Sequence, residues 1–173
     1  MDRADAGDGG PQRLVDPRVF REVLGNFASG VTVITAVTDE GPIGFTCQSF
    51  SSLSLDPPLV AFSPSRSSRT WPRLRDIGRF CVNVLAEGQE DLSQQFAGPG
   101  PDKFAGVPWA PSAHGSPVLS DVVAWIDGRL WAEYDGGDHT IAVAHVLDLG
   151  ARPDRRPLLY HQGSYGWLHR PEG

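Results

Sequence analysis

The chain has 173 residues, 40% of them hydrophobic, and a formal net charge of −6. That length suits one domain with a sizeable core, and the negative charge argues against a general grip on nucleic acid. No apolar run approaches the roughly 18 residues that a membrane span needs, and the N-terminal "MDRADAGDGGPQR" lacks the apolar stretch of a signal peptide. A cytoplasmic protein without nucleic-acid or membrane partners is expected, with Cys47 and Cys81 as two buried, unbridged thiols.

Residues 1–12 are rich in Gly, Asp and Ala and read as a disordered tail, leaving 13–170 as a single domain. A helix starts cleanly after them: Asp16 is a good N-cap and Pro17 fits the first helical position. Phe20, Val23, Leu24 and Phe27 recur at helical spacing and predict one buried stripe. After Gly30 the pattern turns β-branched and alternating in "VTVITAVT", a strand. "DEGP" is a turn, and "IGFTCQSF", "PLVAFS" and "RFCVNVL" are further strands. Short helices are expected over about Ser67 to Asp76, with Trp71 and Leu74 inward, and over about Gln89 to Phe96. "AWIDGRLWAEY" and "HTIAVAHVLDL" form a long hairpin around Asp135–Asp138, and "RPLLYHQGSYGWL" closes the chain with a short strand and an aromatic end. Strands dominate without a βαβ rhythm, so a parallel sheet is disfavoured and an antiparallel barrel with peripheral helices is expected. Small barrels fill their interiors with side chains, which leaves the rim or a subunit boundary for a ligand.

Two stretches carry chemistry. "SPSRSSR", from Ser63 to Arg69, joins hydroxyl donors to Arg66 and Arg69 just ahead of a helix, a combination suited to an anion. The bland reading is a solvated helix cap. The strand before it, "FTCQSFSS", is small and polar where large apolar residues are usual, so a flat polar ring could lie along it; an exposed edge strand is the alternative. In "YDGGDHTIAVAHV", Gly136-Gly137 permits a tight turn, and His139 stands at the mouth of the following strand. His139 either serves a ligand or only ties the turn to its neighbour. No carboxylate or cysteine stands at useful spacing from His139 and His145, so no metal site is expected.

The motifs "FREVLGNFASGVTVITA", "GFTCQSFSSLSLDPPLV", "SRTWPRLRDIGRFCVNVL", "DKFAGVPW" and "YDGGDHTIAVAHV" occur in one order. Together they resemble the short-chain flavin reductases, the reductase components of two-component flavin-dependent monooxygenases. The resemblance covers about Val15 to Trp167 and is strongest to the actinobacterial branch that serves the hydroxylase of steroid-ring degradation in cholesterol catabolism. It implies a mainly β, antiparallel FMN-binding split β-barrel that works as a homodimer. It implies hydride transfer from NADH or NADPH to FMN or FAD, with the reduced flavin diffusing to a separate oxygenase. By the same resemblance the flavin ring would lie along Pro42, Ile43, Gly44, Phe45 and Thr46, with Gln48 and Ser49. The phosphate would meet Ser63, Pro64, Ser65, Arg69 and Thr70, and Gln95 and Phe96 would line the far side. The nicotinamide would approach near His139, the one candidate catalytic residue, and near His161, Gln162, Gly163, Ser164 and Tyr165. Two other classes fit the same residues: a flavin- or haem-binding split-barrel protein without turnover, and an oxidase of the pyridoxamine-phosphate type.

Overall fold

The computed structural model describes residues 15–100 and 102–168. The expected tail, residues 1–12, and the last two residues of the expected domain lie outside these.

The centre is a seven-stranded antiparallel sheet. Its strands are β2 (Thr32–Thr38), β3 (Gly41–Cys47), β4 (Ser51–Leu55), β5 (Pro58–Phe62), β6 (Arg79–Val84), β9 (Ala124–Gly136) and β10 (His139–Ala151). They run β3-β2-β6-β9-β10-β5-β4 across the sheet, so sequence neighbours β3 and β4 stand at its two ends. A second sheet joins β1 (Ser29–Gly30), β11 (Leu158–His161) and β12 (Ser164–Trp167), and β7 (Trp109–Pro111) pairs with β8 (Pro117–Leu119). The 13-residue strands β9 and β10 bend at two register shifts, at Val143/Ala144 and Val146/Asp148. An extra residue on one strand increases the local twist, which lets so long a hairpin curl around a core.

Alternation along the strands builds that core. Ile34 and Ala36, Phe45 and Cys47, Val60 and Phe62, Phe80 and Val82, and Ala142 and Ala144 meet in one buried cluster. The helix α2 (Trp71–Ile77) seals it: Trp71 and Leu74 are 3% and 0% exposed. The Trp71 ring stands edge-on to Phe45, Phe62 and Phe80, with centroids 6.5, 5.4 and 6.3 Å away, the arrangement that aromatic quadrupoles favour. The opposite face of β2 is also covered. There Val31 and Val33 pack with Leu85, Leu119, Leu158, and Phe96 of α3 (Glu90–Ala97) in a second cluster. Asn83, fully buried, pins the β7–β8 hairpin to this face: its Nδ2 donates to Thr35 Oγ1 and its Oδ1 accepts from Leu119 N, at 2.9 and 2.8 Å. A buried amide satisfied on both ends stabilises a unique arrangement, whereas half satisfied it would cost about 1–3 kcal/mol.

Three expectations change. The helix α1 (Pro17–Leu24) forms and is capped by Asp16, whose Oδ1 accepts from Arg18 N at 2.7 Å. Its apolar stripe, however, is not buried within the chain: Phe20, Val23 and Leu24 are more than half exposed and Phe27 is 82% exposed. No element of the described chain packs over that side. The helix expected from Ser67 begins only at Trp71, because Ser68 Oγ accepts from Thr70 N and Trp71 N and holds the preceding residues in a loop. The aromatic C-terminal end is a second strand paired with the first across Gln162-Gly163, both at positive φ. Cys47 and Cys81 are buried and unbridged as expected, and burial pushes both thiols up from their ordinary pKa.

Candidate active site

The seam where the barrel stays open is the site. Among the described residues, β3 and β4 share no ladder. Ser49, in the connection from β3 to β4, ties that connection to the end of β5: its Oγ accepts from Ser63 N at 2.7 Å and donates to Ser63 O at 3.2 Å. Beside it lies a cavity of about 970 Å³, at the upper end of what a small-molecule or cofactor site needs.

The floor is β3. Thr46 Oγ1 donates to Ser93 O at 2.6 Å, fixing the strand to α3. Gly44 permits the close approach between them: a Cβ there would sit 2.8 Å from Ile34 O and 2.8 Å from Phe96 Cε1. The small residue at this point lets the buried Phe96 ring pack closely against the strand.

The opposite wall is the loop Ser63–Thr70, tied to the start of β10. Arg66 N donates to Asp138 O and Thr140 N to Pro64 O, both at 3.0 Å. Ser65 Oγ lies 2.8 Å from Ser67 Oγ and accepts from Ser67 N, so the hydroxyls are ordered by one another. The two arginines of the loop part company. Arg66 turns to the hairpin and pairs with Asp135 at 2.7 Å, whereas Arg69 lines the cavity and has no ion-pair partner among the described residues. His139 stands at the rim, its Nδ1 2.7 Å from Asp138 Oδ1. The imidazole beside it holds the Asp138 carboxyl below the usual carboxylate range, by hydrogen bond first and by charge second.

Of the residues expected for the flavin, Pro42 through Thr46, Gln48, Ser49, Ser63 through Ser65, Arg69, Thr70 and Phe96 all line this one cavity, together with His139. Gln95 does not; its Nε2 donates outward to Lys103 O and Ala105 O at 3.0 Å. Nor do His161 to Tyr165, which form the β11–β12 turn and its flank. Gln162 there bonds Gly25 O and Asn26 Oδ1. Tyr165 O–H donates to Ser93 Oγ at 3.0 Å and so touches the same α3 residue that holds Thr46. Reading the sequence missed Arg73, Lys103 and the turn Ala97–Gly100, which complete the walls. Arg73 follows Arg69 at i+4, and that spacing was the available signal; Lys103 is brought in only by the fold.

The donor set fits a phosphorylated, flat, polar ligand. Hydroxyls and three cations line the cavity, and among the described residues no carboxylate does.

Similarity to known proteins identifies the family. A family profile described as a flavin reductase like domain matches residues 24–169. The chain is 50% identical over 153 residues, 87% of its length and 82% of the other's, to the reductase subunit HsaB of a flavin-dependent monooxygenase from Mycobacterium tuberculosis. The crystal structure of a nitrilotriacetate monooxygenase component B homologue from Mycobacterium thermoresistibile superposes with a TM-score of 0.85 at 46% identity over 90% of each chain. The NADH:FAD oxidoreductase SgcE6 of Streptomyces globisporus, in complex with NAD and FAD fragments, gives 0.85 at 36% identity over 90% of this chain and 96% of its own. The chain belongs to the flavin reductase-like family, with its split-barrel fold. It is an NAD(P)H-dependent flavin reductase of the two-component monooxygenase class.

Proposed function

We propose that this reductase works in the cytoplasm as a homodimer and releases reduced FMN or FAD to a separate oxygenase that hydroxylates an aromatic or steroid-derived ring. The observation that carries the reading is the cavity on the seam, lined by hydroxyls and cations and, among the described residues, by no carboxylate, with the strand β3 along its floor. The flavin supplies a hydride acceptor and the nicotinamide the hydride, so the cofactors carry the hard chemistry and the chain has to bind and orient.

Residues Pro42 to Thr46, with Gln48 and Ser49, form the bed for the ring. Ser63, Pro64, Ser65, Arg69 and Thr70 hold the phosphate, the guanidinium offering a planar fork of donors. Phe96, fully buried, backs the strand that forms this bed. His139, half-exposed at the rim with Nδ1 donating to Asp138, offers its other nitrogen to the nicotinamide: a neutral ring accepts there from the amide N–H, and a ring carrying both protons donates to the amide carbonyl or to the reduced flavin's anionic side. Tyr165, with His161 to Ser164, shapes the approach of the nicotinamide from the α3 side.

A second copy covers the stripe of α1 and the edge strand β4, where Leu53 and Leu55 are exposed. Natural sheets rarely leave such an edge bare, and the apolar surface suits a two-fold interface.

The test is turnover. NADH oxidation is measured with FMN, FAD and riboflavin in turn, before and after dialysis of the protein. Turnover of added flavin, with no flavin retained on dialysis, supports a diffusible product. Flavin that survives dialysis without turnover of added flavin would count against it. Reconstitution with candidate oxygenases decides the pathway.

A further inference from the structure

The phosphate loop accounts for one of the three cations in the cavity. Arg69 sits in it, directly after the serines. Arg73 and Lys103 do not belong to it, and both face the same space. Arg73 rises from the middle of α2, and its Nη2 reaches Glu40 Oε2 at 2.6 Å, across the mouth of the cavity to the β2–β3 turn. That pair is exposed on both sides, so it contributes little energy, and it occupies only part of a guanidinium that carries five N–H donors. Lys103 comes from the far wall. Its Nζ donates to Phe96 O at 2.8 Å and meets no carboxylate among the described residues. The ammonium is half-buried, and desolvation lowers its pKa from the ordinary lysine value. A partly desolvated cation satisfied by one carbonyl still favours an anion brought beside it. The same cavity is lined by Ala97-Gly98-Pro99-Gly100, a stretch of small side chains, and a Cβ at Gly100 would meet nothing within 4 Å.

A single phosphate ester needs one such set of donors. The cavity holds more: beside Arg69 and the serines of the loop it is lined by Arg73 of α2 and by Lys103 of the segment after α3. We propose that Arg73 and Lys103 form a second phosphate subsite, which takes the distal phosphate of FAD and makes FAD, over FMN, the preferred flavin. The inference rests on the flavin-binding reading above and names the cofactor within it. A pyrophosphate also occurs in NADH, so the shared chemistry is the ADP half of a dinucleotide, and the experiment has to separate the two sources.

Dissociation constants for riboflavin, FMN and FAD are measured by fluorescence on the wild-type protein, on Arg73→Ala and on Lys103→Gln, with thermal melts as a folding control. The Michaelis constant for NADH is measured with FMN as acceptor. The expected result is a wild-type preference for FAD over FMN that falls ten-fold or more in Arg73→Ala, and in the same direction in Lys103→Gln. The Michaelis constant for NADH should move less than three-fold. Equal weakening of FMN and FAD would put Arg73 on the first phosphate and overturn the proposal. A ten-fold rise in the Michaelis constant for NADH with FAD affinity retained would assign the subsite to the nicotinamide dinucleotide and overturn it too. So would an unchanged FAD-to-FMN ratio in well-folded Arg73→Ala. Failure of the wild type to bind any of the three flavins is a different result, one that removes the flavin reading itself.

Discussion

The helices α1 and α2 begin alike and end in opposite circumstances. Each carries a proline in its first turn and apolar residues at helical spacing. α2 buries Trp71 and Leu74 against the barrel, whereas α1 buries no residue against the described part of the chain. A periodic apolar stripe announces that a face will be covered; it does not say by what. α2 is short and follows directly on the loop that ties to β10, so the barrel end lies within its reach. α1 precedes the sheet, and no element among the described residues covers its stripe.

The largest expected effect is on the side that is already covered. Trp71→Ala removes the side chain on which Phe45, Phe62 and Phe80 converge and leaves Glu133 without the indole donor it holds at 3.1 Å. Truncations of this kind cost about 3–5 kcal/mol, to be read from urea unfolding. A loss under 1 kcal/mol would mean that α2 is as loosely held as α1.

The matching change on the other helix is Phe20→Ser. Burying an apolar side chain contributes about 1.5–3 kcal/mol, and each of two copies would lose one, so association should weaken by about a hundred-fold or more. Light scattering should then show single chains at micromolar concentration, with the fold intact by circular dichroism. An unchanged mass would exclude α1 from the interface.

A smaller effect belongs to the loop ahead of α2. Ser65→Ala with Arg69→Ala should weaken FMN and FAD by about ten-fold or more, since a charge-assisted contact is worth roughly 1.5–3 kcal/mol, and should spare riboflavin, which has no phosphate. Equal losses for all three ligands would show that the loop supports the ring and not the phosphate.

The smallest concerns His139, where that loop meets β10. His139→Ala should leave FMN affinity and melting nearly unchanged, because its partner Asp138 is an exposed surface carboxylate. It should slow flavin reduction, or raise the Michaelis constant for NADH, by about ten-fold, equivalent to about 1.4 kcal/mol. An early-melting variant that reduces flavin normally in the cold would make the histidine structural.

Much of this was legible in the sequence, and the reasons it stops are physical. The β9–β10 hairpin announced itself through alternation on both sides of Gly136-Gly137. The cavity's floor and loop were readable because small hydroxylated residues stood where a strand should carry large apolar ones. The β11–β12 hairpin was only half visible, because its turn opens on Gln162, an unusual residue at positive φ. Strand β4 was hidden in a run of serines, whose strand geometry comes from pairing with β5 and not from propensity. Lys103 was least accessible of all. It stands far from Arg69 in sequence, and its segment is brought to the cavity by the packing of Phe96 against Phe104, with ring centroids 4.9 Å apart, and by the hydrogen bonds of Gln95 to Lys103 O and Ala105 O.

Neighbouring strands of the barrel are held by rows of main-chain bonds, which open only together. Where the β3–β4 connection meets the end of β5, the tie is one hydroxyl on one rotatable bond, and its alternatives are the ordinary staggered positions of χ1. The amide proton of Ser63 is the gauge of that tie: it is guarded from solvent while the Ser49 hydroxyl accepts it, and it exchanges once the hydroxyl turns away.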